Sequence, residues 1–599
     1  MKRLPLSTAV LLTALSPIGF LRPASAQDMP GGTVDPTRAP TGNRLDRVDV
    51  ISRQQSDTDL RRRSQVAKQI YGREEMDKYG DSNVADVLKR LPGVSVQGGA
   101  PRMRGLGSGY TLILINGDPA PPGFALDQLS PSQVERIEIT KGPTADQSAQ
   151  AVAGAINIIL KEAPRVSQRD LRLSGGYNTH RPTASANFTF GERLGALSVS
   201  LPVSVFQWRG LNTLVNTRDM PGTDGLPSMA IQQGDQLFWG HGVNAGPRLN
   251  WKLGDDQTLS LQSFLQKGYW NNRVQYQNEV RIGLPSLDDD AQTHGTWQNA
   301  RGNLQWTNYL SASERIELKA GVQASKGAFS SQTYRLQAPQ RHVAGDTEDR
   351  SLTQAGKYTR LLNDQHSLTA GWDLEWRRRG ERREVTENGL PQLPEFEGQP
   401  FAARVERQAW FVQDEWEISK QWSGNFGLRA ERIGSQSRGV AEPIDNSSRV
   451  LTPLLHLTYK LDPQGKDLIR ASLTRSYKAP ELNALMARPA VNGLFPDPNK
   501  PNTELSPDRE GNPTLKPELA TGLDASFEKY LAGGGLISVG VFHRNVTNLI
   551  RNVSTLETVS WAGVPRWVSK HRNFSKAQTS GLELAHRQNV FGRQVVMHF

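Results

Sequence analysis

The sequence predicts a mainly β chain: a small N-terminal α/β module followed by a large transmembrane antiparallel β-barrel. Three observations point there. After Pro164 apolar and polar residues alternate in stretches of about ten, the length and period of a membrane-crossing strand. The connections between those stretches divide into tight turns and long polar segments. No window approaches 18 consecutive apolar residues, which excludes a helical membrane protein.

The N-terminus addresses the chain for export. Lys2 and Arg3 precede a short apolar stretch over 9–21, and Ala24, Ser25 and Ala26 form a small-x-small cleavage site. Residues 1–26 therefore read as a signal peptide. Removing Lys2, Arg3 and Arg22 lowers the formal net charge from +11 to +8. The remaining basic residues are scattered, and an exported chain meets no genome, so no nucleic-acid partner is expected.

The chain has no Cys, which excludes disulfides, thiolate metal sites and Cys nucleophiles. Its ten His never fall at HxxxH or HxxH spacing. There is no GxSxG elbow and no HExxH, and GLGSG at 105–109 lacks the Lys-Ser/Thr of a phosphate loop. No enzyme activity, resident metal or cofactor is expected.

Residues 27–60 form a flexible extension, Pro/Gly/Thr-rich over 27–44. It contains a β-like patch, Leu45, Asp46, Arg47, Val48, Asp49, Val50 and Ile51. The patch suits either a small edge strand or a segment kept loose for strand addition to another protein.

Residues 61–165 supply the α/β module. Ser82 is a candidate cap for a helix whose Val84, Val87, Leu88 and Leu91 recur at i, i+3, i+4 and i+7, ending at Pro92-Gly93. TLILI at 111–115 reads as a buried strand, stopped by the tight-turn pair Asn116-Gly117. Ser130-Pro131 opens a short helix, and IEI at 137–139 and AINIIL at 155–160 are further strands.

Residues 166–599 carry the barrel. Ile316, Leu318, Ala320, Val322 and Ala324 alternate with Glu317, Lys319, Gly321 and Gln323, and Leu368, Ala370, Trp372, Leu374 and Trp376 alternate in the same way. The apolar face suits lipid, the polar face a wet lumen, and closure satisfies every backbone group. Residues 254–256 and 462–465 are tight turns, whereas 209–236, 270–298, 377–404 and 477–516 read as long loops. This asymmetry fits the bacterial outer membrane. A soluble sandwich or propeller is disfavoured, because no blade repeat is visible.

DVLKRLPGV at 86–94, RMRGLG at 102–107, YTLILING at 110–117, VERIEITKGP at 134–143 and GAINII at 154–159 occur in the order found in the plug domain of TonB-dependent outer-membrane receptors, and the module resembles that domain. YKAPEL at 477–482, NPTLKPE at 512–518 and SGLE at 580–583 resemble the family's barrel signatures.

The resemblance implies a 22-stranded barrel with the plug in its lumen. It implies active import driven by TonB and its inner-membrane complex, with residues 45–51 as the TonB box. It also implies a monomer in contact with outer-membrane lipid and lipopolysaccharide. The expected cargo is a ferric siderophore, with iron only as part of the chelate. Cobalamin, haem, a carbohydrate or another metal chelate are alternatives, as is a passive porin or adhesin-like barrel.

Ligand is expected at the plug apices, Gln97, Arg102, Asp118 and Phe124, and at Trp208-Arg209, Tyr269-Trp270 and Arg377–Arg379. Arg104 with Glu135 or Glu138 is expected to lock plug to barrel. Family members carry several strands after the SGLE strand, but only sixteen residues follow 583 here. A truncated C-terminus and an unpaired barrel edge are therefore expected.

Overall fold

The computed structural model describes residues 57–598 apart from 78–80, 82, 92, 98–99, 121–125, 127–128, 130, 162–166, 179–180, 222–225, 284–288, 336–337, 463, 532–534, 575 and 591–592. The signal peptide, the TonB-box candidate (Leu45, Asp46, Arg47, Val48, Asp49, Val50, Ile51) and Phe124 lie outside the described residues.

The N-terminal module is built on a five-stranded sheet. Its order is Lys68–Tyr71, Val134–Thr140, Gly154–Leu160, Thr111–Ile115 and Asp118–Pro119. All neighbours are antiparallel except Thr111–Ile115 with Gly154–Leu160. The helix Val84–Arg90 buries Val84, Val87 and Leu88 against Ile137, Ile139, Ile156 and Ile158. Each such side chain contributes roughly 1.5–3 kcal/mol by leaving water. The helix is capped one residue later than expected: the Asn83 side chain accepts from the Asp86 N–H at 2.9 Å. Gly154, at φ +123, lets this sheet close, because a Cβ there would stand 2.5 Å from the Thr140 carbonyl oxygen.

The remaining strands form a closed ring of nineteen segments among the described residues. Arg248–Lys252 prolongs Pro227–Ala245 past Gly246-Pro247, since both pair with Leu197–Pro221 and with Gln257–Ile282. The ring is thus narrower than the twenty-two strands the resemblance implied. Length replaces number: Gln257–Ile282 has 26 residues, Leu197–Pro221 has 25 and Ala338–Leu361 has 24. A membrane crossing needs only about 9–11.

The surplus projects beyond the bilayer, so most of the expected loops 209–236, 270–298 and 377–404 are strand. Only 477–516 is largely irregular, with the one-turn helix Leu482–Leu485 inside it. The expected open edge is not found either. Arg593–His598 lies beside Gln168–Asn178 in the ring, which spares the bilayer an unpaired backbone edge.

Burial confirms which face meets lipid. Val205, Leu265, Leu318, Val322, Leu473, Leu523, Val541 and Leu582 are large, apolar and exposed, and they sit on the outward side of their strands. A surface of that composition is covered by hydrocarbon rather than water. At the short-turn rim Trp422 packs tilted against Tyr459 (4.7 Å between centroids) and His366 stacks on Trp416 (5.0 Å), an interfacial aromatic girdle.

Candidate functional site

The α/β module fills the lumen, and its attachment to the wall is uneven. On one side buried side chains hold it at many points. Arg104, in the left-handed backbone region at φ 55, donates to Asp524 at 2.7 Å and to Glu583 at 3.2 Å. Its guanidinium also lies 4.6 Å from the Phe542 ring centroid. Lys141 pairs with Glu583, and Arg544 donates to Asp524 at 2.7 Å. Two carboxylates from the wall thus face three cations.

Neither expected partner joins this cluster. Glu138 accepts from Lys68 at 3.0 Å and from Arg136 at 2.7 Å within the module, and Glu135 is half-buried on the same strand. Asp524 is not among the residues the sequence singles out, and Glu583 enters there only as the last residue of SGLE. Their signal was a carboxylate at a lumen position between apolar neighbours, as in Leu523-Asp524-Ala525.

Further wall groups hold the module's backbone. Tyr477 donates its backbone N–H to the Ala149 carbonyl at 2.9 Å. His456 Nε2 is 3.0 Å from the Pro143 oxygen, and Tyr110 donates its hydroxyl to Glu518 at 2.6 Å. Arg429, fully buried, bonds Glu431 (2.6 Å), Asp373 (2.9 Å) and the Ala145 carbonyl (3.4 Å). Buried charges of this kind persist because each is paired and hydrogen-bonded.

On the opposite side a cavity of about 630 Å³ separates module and wall. The module contributes the turn Asn116-Gly117, both at positive φ (52 and 85), followed by Asp118, and the loop holding Asp146. Asp118 accepts from Asn303 at 2.8 Å and faces Lys319 at 3.4 Å and Arg301 at 3.8 Å. Asp146 meets Lys357 at 3.5 Å. Burial would raise the Asp146 carboxyl, but Lys357 and the Thr144 hydroxyl hold it below its ordinary value. Arg301 also donates to the Pro119 carbonyl at 2.9 Å, and Asn116 donates to Gln262. A cavity of this size and charge suits a small polar ligand in passage.

Above the cavity the lumen wall is aromatic. Strand register places Trp208 opposite Gly240, Gly240 opposite Trp270, and Trp270 opposite Gly295. One step nearer the module, Phe206 faces Gly242 and Gly268 faces Trp297. The glycines leave slots: a Cβ at Gly240 or Gly268 would come within 2.2 Å of the Trp208 or Trp297 ring. These rings share the face of Gln262 and Arg248, which touch the module, so they look into the lumen. Arg377 and Arg379 also face inward and pair with Asp349 at 3.6 and 2.6 Å.

Of the expected ligand residues, Asp118 lines the cavity. Arg102 instead donates to Gln97 at 2.7 Å on the hairpin Val94–Gln97/Ala100–Met103, and neither lines it. Arg209, Tyr269 and Arg378 are exposed on the outer side of the wall.

Residues 61–155 match the TonB-dependent receptor plug domain, and residues 163–596 match the TonB dependent receptor-like β-barrel. The chain belongs to the TonB-dependent receptor family. It is an outer-membrane receptor and not an enzyme.

Among its relatives is the iron-regulated outer membrane virulence protein of Vibrio cholerae serotype O1. That protein is 24% identical over 552 residues, spanning 86% of this receptor and 71% of the relative. The ferric enterobactin receptor PirA of Pseudomonas aeruginosa is 23% identical over 559 residues, 84% of this receptor and 70% of the relative. The crystal structure of the siderophore receptor PirA from Pseudomonas aeruginosa superposes with a TM-score of 0.57 at 18% identity, covering 89% of this receptor and 85% of that chain. Unliganded ferric citrate transporter FecA gives 0.59 at 15% identity, covering 88% and 75%. These structural likenesses establish the shared plugged-barrel fold.

Proposed function

We propose that this receptor imports a ferric siderophore, driven by TonB acting on residues 45–51. The observation that carries the reading is the continuity of the lumen path. The aromatic rows of Trp208, Trp270 and Trp297 stand directly above a charged cavity that runs along the plug. Ring faces stack on a planar aromatic chelator, and the neighbouring arginines suit its anionic charge. The relatives named for ferric enterobactin and iron regulation support the same cargo class.

In this reading Arg104, with Asp524 and Glu583, locks the plug to one half of the wall. The cavity side yields when TonB pulls. The receptor works as a monomer, since the plug fills a single barrel.

The test is uptake of radio-iron-loaded siderophores by cells carrying this receptor as their sole siderophore receptor. Wild type should accumulate iron from a catecholate chelate. Deleting residues 45–51 should abolish accumulation while surface binding persists. Equal uptake with and without 45–51 would indicate a passive porin. Binding of cobalamin, haem or a carbohydrate in preference to every iron chelate would replace the cargo.

A further inference from the structure

The aromatic rings of the lumen wall are seated on glycines. Across six adjacent strands one row reads Trp208, Gly240, Trp270, Gly295, Phe329 and Gly345, each the direct register partner of the next. The row nearer the plug holds Phe206, Gly242, Gly268 and Trp297 in the same relation. Every ring in these rows has a glycine beside it.

Each ring lies across its glycine. A Cβ at Gly240, Gly268, Gly295 or Gly345 would stand no more than 2.8 Å from the ring of Trp208, Trp297, Trp270 or Phe329, respectively. Gly240, Gly268 and Gly295 are buried beneath the rings, whereas the rings themselves are half-buried. One face of each ring is thus covered by the wall and the other is open to the lumen. Phe206 stacks beside Trp208 at 5.8 Å, and Trp208 lies 5.5 Å from Trp297, so the two rows join in one surface.

The seat decides what a ring shows to cargo. A ring face carries the negative side of the quadrupole and the larger apolar area, and the edge carries the positive side. A side chain at the glycine would lift the ring off the wall and turn its edge into the lumen. Glycine weakens a strand interior, and the overlying ring offsets that cost.

We propose that Gly268, with Gly240 and Gly295, determines which chelate this receptor accepts. By seating Trp297, Trp208 and Trp270 face-on, these glycines select an iron chelate whose outer surface is aromatic over one whose outer surface is aliphatic. This rests on the reading of the receptor as a siderophore importer. The glycines touch no cargo and act as positioning residues, while the rings do the stacking.

Gly268 gives the cleanest test, because the three atoms nearest a Cβ there all belong to Trp297. At Gly240 and Gly295 a backbone carbonyl oxygen also stands within 2.7 Å. Gly356 supplies the control. It seats Trp372 in the same way, but on the face of Leu352 and Trp410, which are exposed to lipid.

The experiment is equilibrium binding of radio-iron-loaded tris-catecholate and aliphatic tris-hydroxamate chelates to the full-length receptor in detergent. Wild type should hold the tris-catecholate more tightly. Gly268→Ala and Trp297→Leu should each lower tris-catecholate affinity about three- to tenfold and leave tris-hydroxamate binding unchanged. Gly268→Ala/Trp297→Leu should bind no more weakly than Trp297→Leu alone, since the glycine acts through the ring. Gly356→Ala should change neither affinity. A heat-modifiable band on unboiled gels certifies each fold, and Gly345→Ala, which crowds Phe329, takes the place of Gly268→Ala if that band is lost. Equal binding of the two chelates by wild type, an unchanged preference in the folded glycine variant, an equal shift in Gly356→Ala, or additive losses in the double variant would each overturn the proposal. The measurement involves neither TonB nor transport. Selective binding without import would remove the importer reading and keep the glycine seats as the source of selectivity, whereas import with an unchanged preference in Gly268→Ala would do the reverse.

Discussion

Arg104 of the plug and Asp524 of the barrel wall, 420 residues apart in sequence, meet at 2.7 Å with 2% of the arginine side chain exposed. The pair belongs to a cluster with Glu583, Lys141 and Arg544. Removing Arg104 leaves Asp524 with Arg544 and Glu583 with Lys141, so what is lost is its two charge-assisted hydrogen bonds. Arg104→Ala should therefore destabilise plug seating by about 1.5–3 kcal/mol. Arg104→Ala/Asp524→Ala should cost clearly less than the two single changes added. Hydrogen exchange of the 134–140 and 154–160 amides in the intact receptor measures this. Strict additivity would mean that the contact carries no coupling.

Gly154 makes a backbone prediction. At φ +123, with the Thr140 carbonyl 2.5 Å from a Cβ, Gly154→Ala combines strain with a clash. It should cost about 1–3 kcal/mol or more. Gly195→Ala, at φ +61 in open space, should cost only about 1 kcal/mol. Thermal melts of both variants check the order, and equal losses would argue against the close approach.

Glu138 makes a pH prediction. Burial raises its carboxyl, but Lys68 and Arg136 outweigh burial and hold it below the ordinary 4.5. A depressed carboxyl contributes stability that is present above its unfolded pKa and lost as pH falls through the folded one. The tie between Lys68–Tyr71 and Val134–Thr140 should stay constant from neutral pH to about 4.5 and weaken below that. Amide exchange of 68–71, corrected for intrinsic rates, should show this fall in wild type and not in Glu138→Gln.

The tethers across the cavity are weaker. Asp118 with Lys319 and Asp146 with Lys357 are partly exposed pairs at 3.4 and 3.5 Å, each worth about 0–1 kcal/mol. Asp118→Asn/Asp146→Asn should raise amide exchange at 116–120 and 144–150 by a few-fold, with 134–140 unchanged. Loss of protection throughout the plug would contradict the one-sided attachment.

Much of this architecture was legible in residue order. The alternation of Ile316 to Ala324 assigns one face to lipid, because period two is a property of any extended strand. Asn116-Gly117 announces its turn, since both residues accept positive φ. The spacing of Val84, Val87 and Leu88 marks the buried helix face.

Other features depended on the closed ring. Above the bilayer both faces of a strand are polar, so alternation fades, and the strand extensions over 209–221 and 270–282 read as loops. That hid a barrel with fewer, longer strands. Arg104 advertises a need for an acid, and Glu135 and Glu138 are near in sequence. The structure turns Glu138 toward Lys68 and Arg136 and brings Asp524 and Glu583 to Arg104 instead. Charge is a local property of the chain, whereas which charges meet depends on strands several hundred residues away closing around the plug.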